Sequence, residues 1–353
     1  MKRKYPRHAL LVSLMVGPKE DWREIILRAE DTGCDGLELN FGCPHGMCER
    51  GMGSAVGQAP KILTEITRWA KEFARTPVLE KLTPNVGDIL DPGLAAVAGG
   101  ADGLSLINSV KSLMGVDLDR MVPIPVVGGR STNGGYCGPA IKPIALQMVG
   151  TLARDPRITV PISGIGGIAS WKDAAEFLAL GATSVQVCTA VMHHGYRIVE
   201  GMLEGLSDFL DEKGMASVAE LRGRAVPAFG EWGDLDLNYQ LKARIDADTC
   251  IGGDLCVVSC MDGAHQCIHR PWETPHEGHV APGFATSNAR WKADGRSRVP
   301  WVDETECVGC NLCALVCPVD GCITMESIDA GPEESWHQRV AAGRGVVPGG
   351  LRD

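Results

Sequence analysis

The chain has 353 residues, 34 Lys+Arg against 44 Asp+Glu for a formal net charge of -10 at pH 7, and 44% apolar residues. That balance describes a soluble globular protein of one large domain or two unequal ones, and it excludes a nucleic-acid binder, whose footprint is a basic excess. No apolar run approaches the ~20 residues needed to span a bilayer.

The basic opening 1–8 followed by the apolar 9–17 imitates a secretory signal. The apolar run is short, no small-residue cleavage site follows, and Lys19-Glu20-Asp21 comes directly after it, so a buried strand is the better reading. From there a short apolar run, a polar or Gly-rich loop and an amphipathic segment alternate as far as residue 205. Strands are predicted at 9–15, 36–40, 78–82, 103–107, 162–164 and 184–187. Trp22, Ile25, Ile26 and Ala29 recur at helical spacing and Gly33 supplies a stop. Ile62, Leu63, Ile66, Trp69 and Phe73 repeat the pattern, and Ser170 with Asp173 makes a capping box for a helix over 171–180.

Such alternation predicts a buried parallel sheet, either a barrel or a doubly wound sheet. Asn40, Lys81, Asn108, Gly166-Gly167 and Thr189 all fall at or just beyond strand ends. A doubly wound sheet gathers its chemistry at one switch point, whereas a TIM barrel opens every strand end onto one face. Five polar ends favour the α/β class as a (β/α)8 barrel. Gly164-Ile165-Gly166-Gly167 and Cys188-Thr189 fit the phosphate site after strands seven and eight. Only six strands are found, so the chain reads as starting at the third strand of eight, with the first two missing ahead of Met1.

The stretch 38–53 places Asn40 at a strand end and Cys43 three residues later in a loop rich in Gly and Met. It reads either as a structural loop with a small buried Cys or as a loop presenting Cys43 as a proton donor beside a substrate-binding Asn40.

The cysteines divide sharply: five lie in the first 249 residues and nine between 250 and 322. In a cytosolic protein such a cluster reads as metal ligands rather than disulfides. Cys307-x2-Cys310-x2-Cys313-x3-Cys317-Pro318 has the bacterial ferredoxin spacing for [4Fe–4S] clusters, and zinc sites use separated pairs instead. Its partner run carries Cys250, Cys256 and Cys260, with Gly253 at the second ligand position. By the crossing rule one cluster takes Cys260, Cys307, Cys310 and Cys313. The other takes Cys250, Cys256 and Cys317 and lacks one thiolate, which predicts a [3Fe–4S] or a labile [4Fe–4S] cluster unless Asp254 or Cys267 substitutes. Cys267 and Cys322 fall outside both frames and read as apolar packing. A barrel over 1–222, a linker over 223–243, a small α+β ferredoxin-like two-cluster domain over 244–328 and a disordered tail over 329–353 follow, with 269–300 a surface insertion.

The stretches 38–57, Lys81-Leu82-Thr83-Pro84-Asn85, 106–109, 134–143, 164–168 and 186–190 together resemble the flavin barrel of the dihydropyrimidine dehydrogenase family. The likeness runs from about residue 4 to 325 and is nearest to the catalytic, PreA-type subunits of the bacterial NAD-dependent enzymes. The resemblance implies FMN, with Lys81 beside its N1/O2 edge and Gly138, Ile165, Gly166, Gly167, Cys188 and Thr189 around its phosphate. It further implies a pyrimidine base held by Asn40, Phe41, Gly42, Asn108 and Ser109, hydride exchange at C6, and Cys43 as the proton donor at C5. Gly42 stands where a serine commonly precedes the catalytic Cys, and Ser109 where threonine is common. The family's first two strands carry another flavin lysine and a substrate asparagine, with no counterpart here. No strand–Gly-x-Gly-x-x-Gly–helix fingerprint for NAD occurs, so a separate FAD/NAD-binding PreT-type subunit is the implied electron partner, in a cytoplasmic hetero-oligomer. Two other readings are a dihydroorotate-type or other flavin dehydrogenase, and a barrel remnant acting only as an electron carrier.

Overall fold

The structure is a computed structural model that describes residues 2–45, 50–231, 234–235, 239–271 and 298–329. Contacts divide the chain into two compact units, residues 1–230 and 231 onward.

The first unit is a single all-parallel sheet wrapped by helices. Its strands are β1 (Leu11–Leu14), β2 (Gly36–Asn40), β3 (Val78–Lys81), β4 (Gly103–Leu106), β5 (Ile162–Ile165) and β6 (Ser184–Gln186), and they neighbour one another in chain order. Helices α1 (Lys19–Asp31), α2 (Pro60–Phe73), α3 (Leu90–Gly99), α4 (Lys142–Arg154) and α5 (Trp171–Ala179) make the crossovers. This is the strand–helix succession of a TIM barrel, six strands of it, and among the described residues no strand pairs with the outer edge of β1 or β6. Beyond β6 follow α6 (Thr189–His194) and α7 (Ile198–Glu212). Between β4 and α4 the chain makes two short antiparallel ladders, Val110–Ser112 with Gly134–Tyr136 and Gly115–Asp117 with Val122–Ile124.

Side chains on a strand alternate between faces, and here the two faces differ in chemistry. Leu37, Leu39, Val78, Leu104, Leu106 and Ile162 turn outward into the helix layer and are fully or nearly fully buried. Trp22 and Ile26 of α1 meet them, with Trp22 edge-on to Phe41 at 6.1 Å between ring centroids. The opposite face carries Ser13, Glu38, Lys81, Ser105, Ser163 and Gln186. The registers Ser13 to Glu38, Asn40 to Lys81, Lys81 to Ser105 and Ser105 to Ser163 carry these polar residues across successive strands of the sheet.

The second unit pairs β7 (Tyr239–Ile245) with β10 (Ile323–Asp329) antiparallel over seven residues. Inside that ladder lie α8 (Leu255–Gly263), the short pair β8 (Ile268–His269) and β9 (Trp301–Val302), and α9 (Leu312–Val316). Its buried apolar core holds Ala243, Val257, Ile268 and Ile323 among six cysteines.

The linker expected over 223–243 is therefore structured at both ends. Residues 239–243 belong to β7, because their backbone pairs with 325–329. On the other side Phe229 packs on the first unit, with the Arg154 guanidinium 5.2 Å from its ring. The tail from 330 and most of the 269–300 insertion lie outside the described residues.

Candidate functional site

At the C-terminal ends of the barrel strands lies a cavity of about 290 Å³ lined by Ser13, Glu38, Asn40, Lys81, Asn108, Ser109, Gly138, Ile165, Gly166, Gly167, Gln186, Cys188 and Thr189. The inward-facing charges form a network at its floor. Lys81 Nζ lies 3.1 Å from Gln186 Oε1 and 3.5 Å from Glu38 Oε1. Gln186 Nε2 reaches Glu38 Oε2 at 3.2 Å, Ser105 Oγ at 2.9 Å and Ser163 Oγ at 3.0 Å. The ammonium is thus held at one point by partners from β2 and β6, with its carboxylate beside it.

On one side the chain supplies backbone rather than side chains. Gly166 and Gly167 have φ of 137° and 76°, and Gly138 has φ of 94°. A Cβ at Gly167 would stand 2.8 Å from the Gly138 carbonyl oxygen, and one at Gly166 would stand 2.7 Å from Ala145. Only glycine combines that conformation with that closeness. On another side the two asparagines interlock. Asn40 Oδ1 accepts from the amides of Gly42 at 3.2 Å and Cys43 at 3.1 Å and from Asn108 Nδ2 at 2.9 Å. Ser109 N donates to Asn108 Oδ1 at 2.8 Å. Cys43 is half-buried, its Sγ 3.3 Å from Nδ1 of the exposed His45.

The second unit holds two sulfur-lined cavities. One gathers Cys260, Cys307, Cys310 and Cys313 with Cys267, and the other Cys250, Cys256 and Cys317 with Cys322. Backbone amides donate to three of the sulfurs: Cys267 N to Cys260 at 3.3 Å, Ala243 N to Cys307 at 3.5 Å and Gly252 N to Cys250 at 3.4 Å. Burial pushes the Cys256 and Cys313 thiols up to about 11.

Residues 2–210 match the family described as dihydroorotate dehydrogenase, and 300–321 match a 4Fe-4S binding domain. The chain belongs to the dihydroorotate dehydrogenase family. Within it the chain is of the PreA type. It is 40% identical over 338 residues to the NAD-dependent dihydropyrimidine dehydrogenase subunit PreA of Escherichia coli, covering 96% of this chain and 76% of that one. It is also 42% identical over 240 residues to the chloroplastic dihydropyrimidine dehydrogenase (NADP(+)) of Arabidopsis thaliana, covering 67% and 56%. A dihydroorotate dehydrogenase of Eimeria tenella, solved with ferulenol, shares the fold at a TM-score of 0.51 and 21% identity, covering 63% of each chain.

In this family member the expected cofactor residues Lys81, Gly138, Ile165, Gly166, Gly167, Cys188 and Thr189 all line one cavity, as do Asn40, Asn108 and Ser109. Cys43 is not among the described residues that line it, but its backbone amide is bonded to the Oδ1 of Asn40, which does. Two further expected substrate residues, Phe41 and Gly42, are not among the described residues lining the cavity. The Phe41 side chain is 1% exposed in the helix layer against Trp22, because 41 alternates to the face opposite Asn40. Gly42 is buried behind the Asn108 amide, where a Cβ would come within 2.3 Å of Asn108 Cβ. In this arrangement any side chain at 42 needs Asn108 displaced.

Glu38, Gln186 and His45 were not anticipated. Glu38 and Gln186 carry a legible signal, since each lies two residues before a strand-end site position or ends a strand and so shares the inward face. Cys267 and Cys322, read as packing, are buried and line the same cavities as the cysteines expected to be ligands.

Proposed function

We propose that this chain interconverts uracil or thymine with the 5,6-dihydropyrimidine, with FMN in the barrel cavity and iron–sulfur clusters in the second unit exchanging electrons with a separate FAD- and NAD-binding subunit. The carrying observation is the single cavity that collects Lys81, Asn40, Asn108, the Gly166-Gly167 turn and Thr189 from separate strand ends.

The residues present fit FMN. A glycine cradle that any Cβ would fill offers amides to a phosphate, and one confined ammonium stands at the cavity floor. Bound there, FMN supplies hydride exchange with C6 of the pyrimidine. Lys81 holds positive charge against a reduced ring system, and Gln186 and Glu38 fix its position. Asn40 has its carbonyl oxygen occupied by three donors, which leaves its Nδ2 to donate to a pyrimidine carbonyl. Cys43 delivers the proton at C5, and exposed His45 at 3.3 Å returns one from solvent.

Four of the five thiols of one cavity, Cys260, Cys307, Cys310 and Cys313, follow the ferredoxin spacing, two of them are met by amide N–H groups, and they fit a [4Fe–4S] cluster. Such thiols require a reducing compartment, in keeping with a cytoplasmic enzyme. Among the described residues no helix is long and apolar enough to cross a membrane.

The test is anaerobic turnover of uracil, thymine and orotate with an artificial donor by the FMN- and iron-loaded chain. Uracil and thymine are reduced and orotate is not; the reverse order overturns the substrate assignment. Cys43→Ala lowers turnover by at least about 100-fold, the scale of general-acid catalysis, with bound flavin unchanged. Unaltered turnover removes Cys43 from the chemistry.

A further inference from the structure

The second ferredoxin frame lacks its second cysteine, yet the cavity built around it does not lack a fourth thiol. Cys250, Cys256 and Cys317 share that cavity with Cys322, which lies five residues past Cys317 and just before β10. Cys322 is 2% exposed, and its thiol makes a long contact of 3.8 Å to the Asp246 carbonyl oxygen, which a metal bond can displace. Its backbone is pinned on both sides: Cys322 N donates to the Val319 carbonyl at 3.3 Å, and Asp246 N donates to the Cys322 carbonyl at 2.8 Å. The residue is thus held at the start of the β7–β10 ladder, on the border of the cavity. Gly253 also borders the cavity, and beyond a Cβ built there the nearest atoms belong to Ile251 at 3.9 Å. A side chain at 253 would meet no more than ordinary van der Waals contact there.

The two other donors that could fill the gap are committed elsewhere. Cys267 lies in the opposite cavity, its Sγ 3.6 Å from Cys260. The Asp254 carboxylate is paired with Arg270 at 2.9 Å.

We infer that Cys322 is the fourth ligand of the second cluster, which is a complete [4Fe–4S] centre on Cys250, Cys256, Cys317 and Cys322. This replaces the three-iron or labile cluster expected from Gly253, and it rests on the reading that the second unit carries two clusters. The Cys322 thiol gives its proton to solvent and its sulfur bonds the iron that the frame leaves without a thiolate.

The experiment reconstitutes the full chain anaerobically with iron and sulfide. It measures both per chain and records the paramagnetic spectrum after mild oxidation. The wild type holds about eight iron and eight sulfide, as two four-iron clusters require, and gives no three-iron signal. Cys322→Ala drops to about seven iron with a three-iron signal, or to about four iron and four sulfide when the cluster is lost altogether. Adding Gly253→Cys to Cys322→Ala returns the count to about eight, which separates lost ligation from a misfolded chain. Cys267→Ala leaves the count unchanged. A wild type with about seven iron and a three-iron signal that Cys322→Ala does not alter overturns the ligand assignment. A wild type that never exceeds about four iron overturns the two-cluster reading instead.

Discussion

Glu80 and Lys81 are consecutive in β3 and fall on opposite faces of the sheet, with opposite fates. Lys81 enters the cavity and meets Glu38 and Gln186. Glu80 is driven into the helix layer, where it is fully buried and neither carboxyl oxygen has a hydrogen-bond partner among the described residues. The neighbouring Thr67 hydroxyl donates to the Leu63 carbonyl at 2.8 Å instead. Burial raises the Glu80 carboxyl well above the usual glutamate range, so it is held as the neutral acid. With the folded value above the unfolded one, the folded state binds the extra proton. Stability from this group is complete below about pH 4.3 and is lost as pH rises from there through the raised value. Glu80→Met should stabilise the first unit by roughly 1–3 kcal/mol, the cost of an unsatisfied buried polar group. It should also flatten the fall in stability between pH 5 and 8. Urea titration across that range checks both, and an unchanged slope would show that Glu80 finds a partner. Strand alternation made the inward side of Lys81 readable from sequence. The orphaned Glu80 was not readable, because nothing local says which hydroxyls the covering helices turn toward it.

At the scale of elements, strand–helix alternation located all six sheet strands, since their apolar runs are bounded by loops and helices with their own periodicity. The short ladders over 110–136 went unpredicted because three-residue strands leave no period to read. The α2 stripe is turned from the expected one: Leu63, Ile66, Thr67 and Ala70 are buried, and Ile62 is exposed. The capping box of α5 appears as its spacing dictates, with Ser170 Oγ accepting from Asp173 N and Asp173 accepting from Ser170 N at 2.8 Å. Its further task was hidden. Asp173 also takes Lys142 Nζ at 2.6 Å, tying α5 to the start of α4, whose first residues crowd Gly167. Burial works to raise the Asp173 carboxyl, but the bonds from Lys142, Ala169 and Ser170 outweigh it and hold it below the usual aspartate range. Its stabilisation is therefore present above about pH 3.9 and lost as pH falls through the lowered value. Asp173→Ala should cost about 1–2 kcal/mol in thermal or urea unfolding, and Asp173→Asn, which keeps the cap and loses the ion pair, should cost less. Equal costs for the two would assign the whole effect to Lys142.

Over the whole molecule, the uneven cysteine count carries a consequence for folding as well as for electron transfer. Among the described residues, the main core of the first unit is built from leucine, isoleucine, valine, alanine, phenylalanine, methionine and Trp22 with Cys34 its lone cysteine, whereas six of the ten buried core side chains of the second are cysteine. Neutral thiols are small hydrophobes, and those of Cys256 and Cys313 lose a proton only near pH 11 while buried without metal. Few large apolar side chains remain to close that core, so ligation of iron supplies stability that burial alone does not. Removing iron from the full chain with a chelator and a mild oxidant should unfold the second unit alone. Hydrogen exchange in β7 and β10 should then approach that of an unstructured chain, while β2 through β5 keep their protection. The same treatment should leave flavin bound, because every described residue lining that cavity belongs to the first unit. Retained protection in β7 and β10 after iron loss would mean that the antiparallel ladder, not the metal, holds the second unit together.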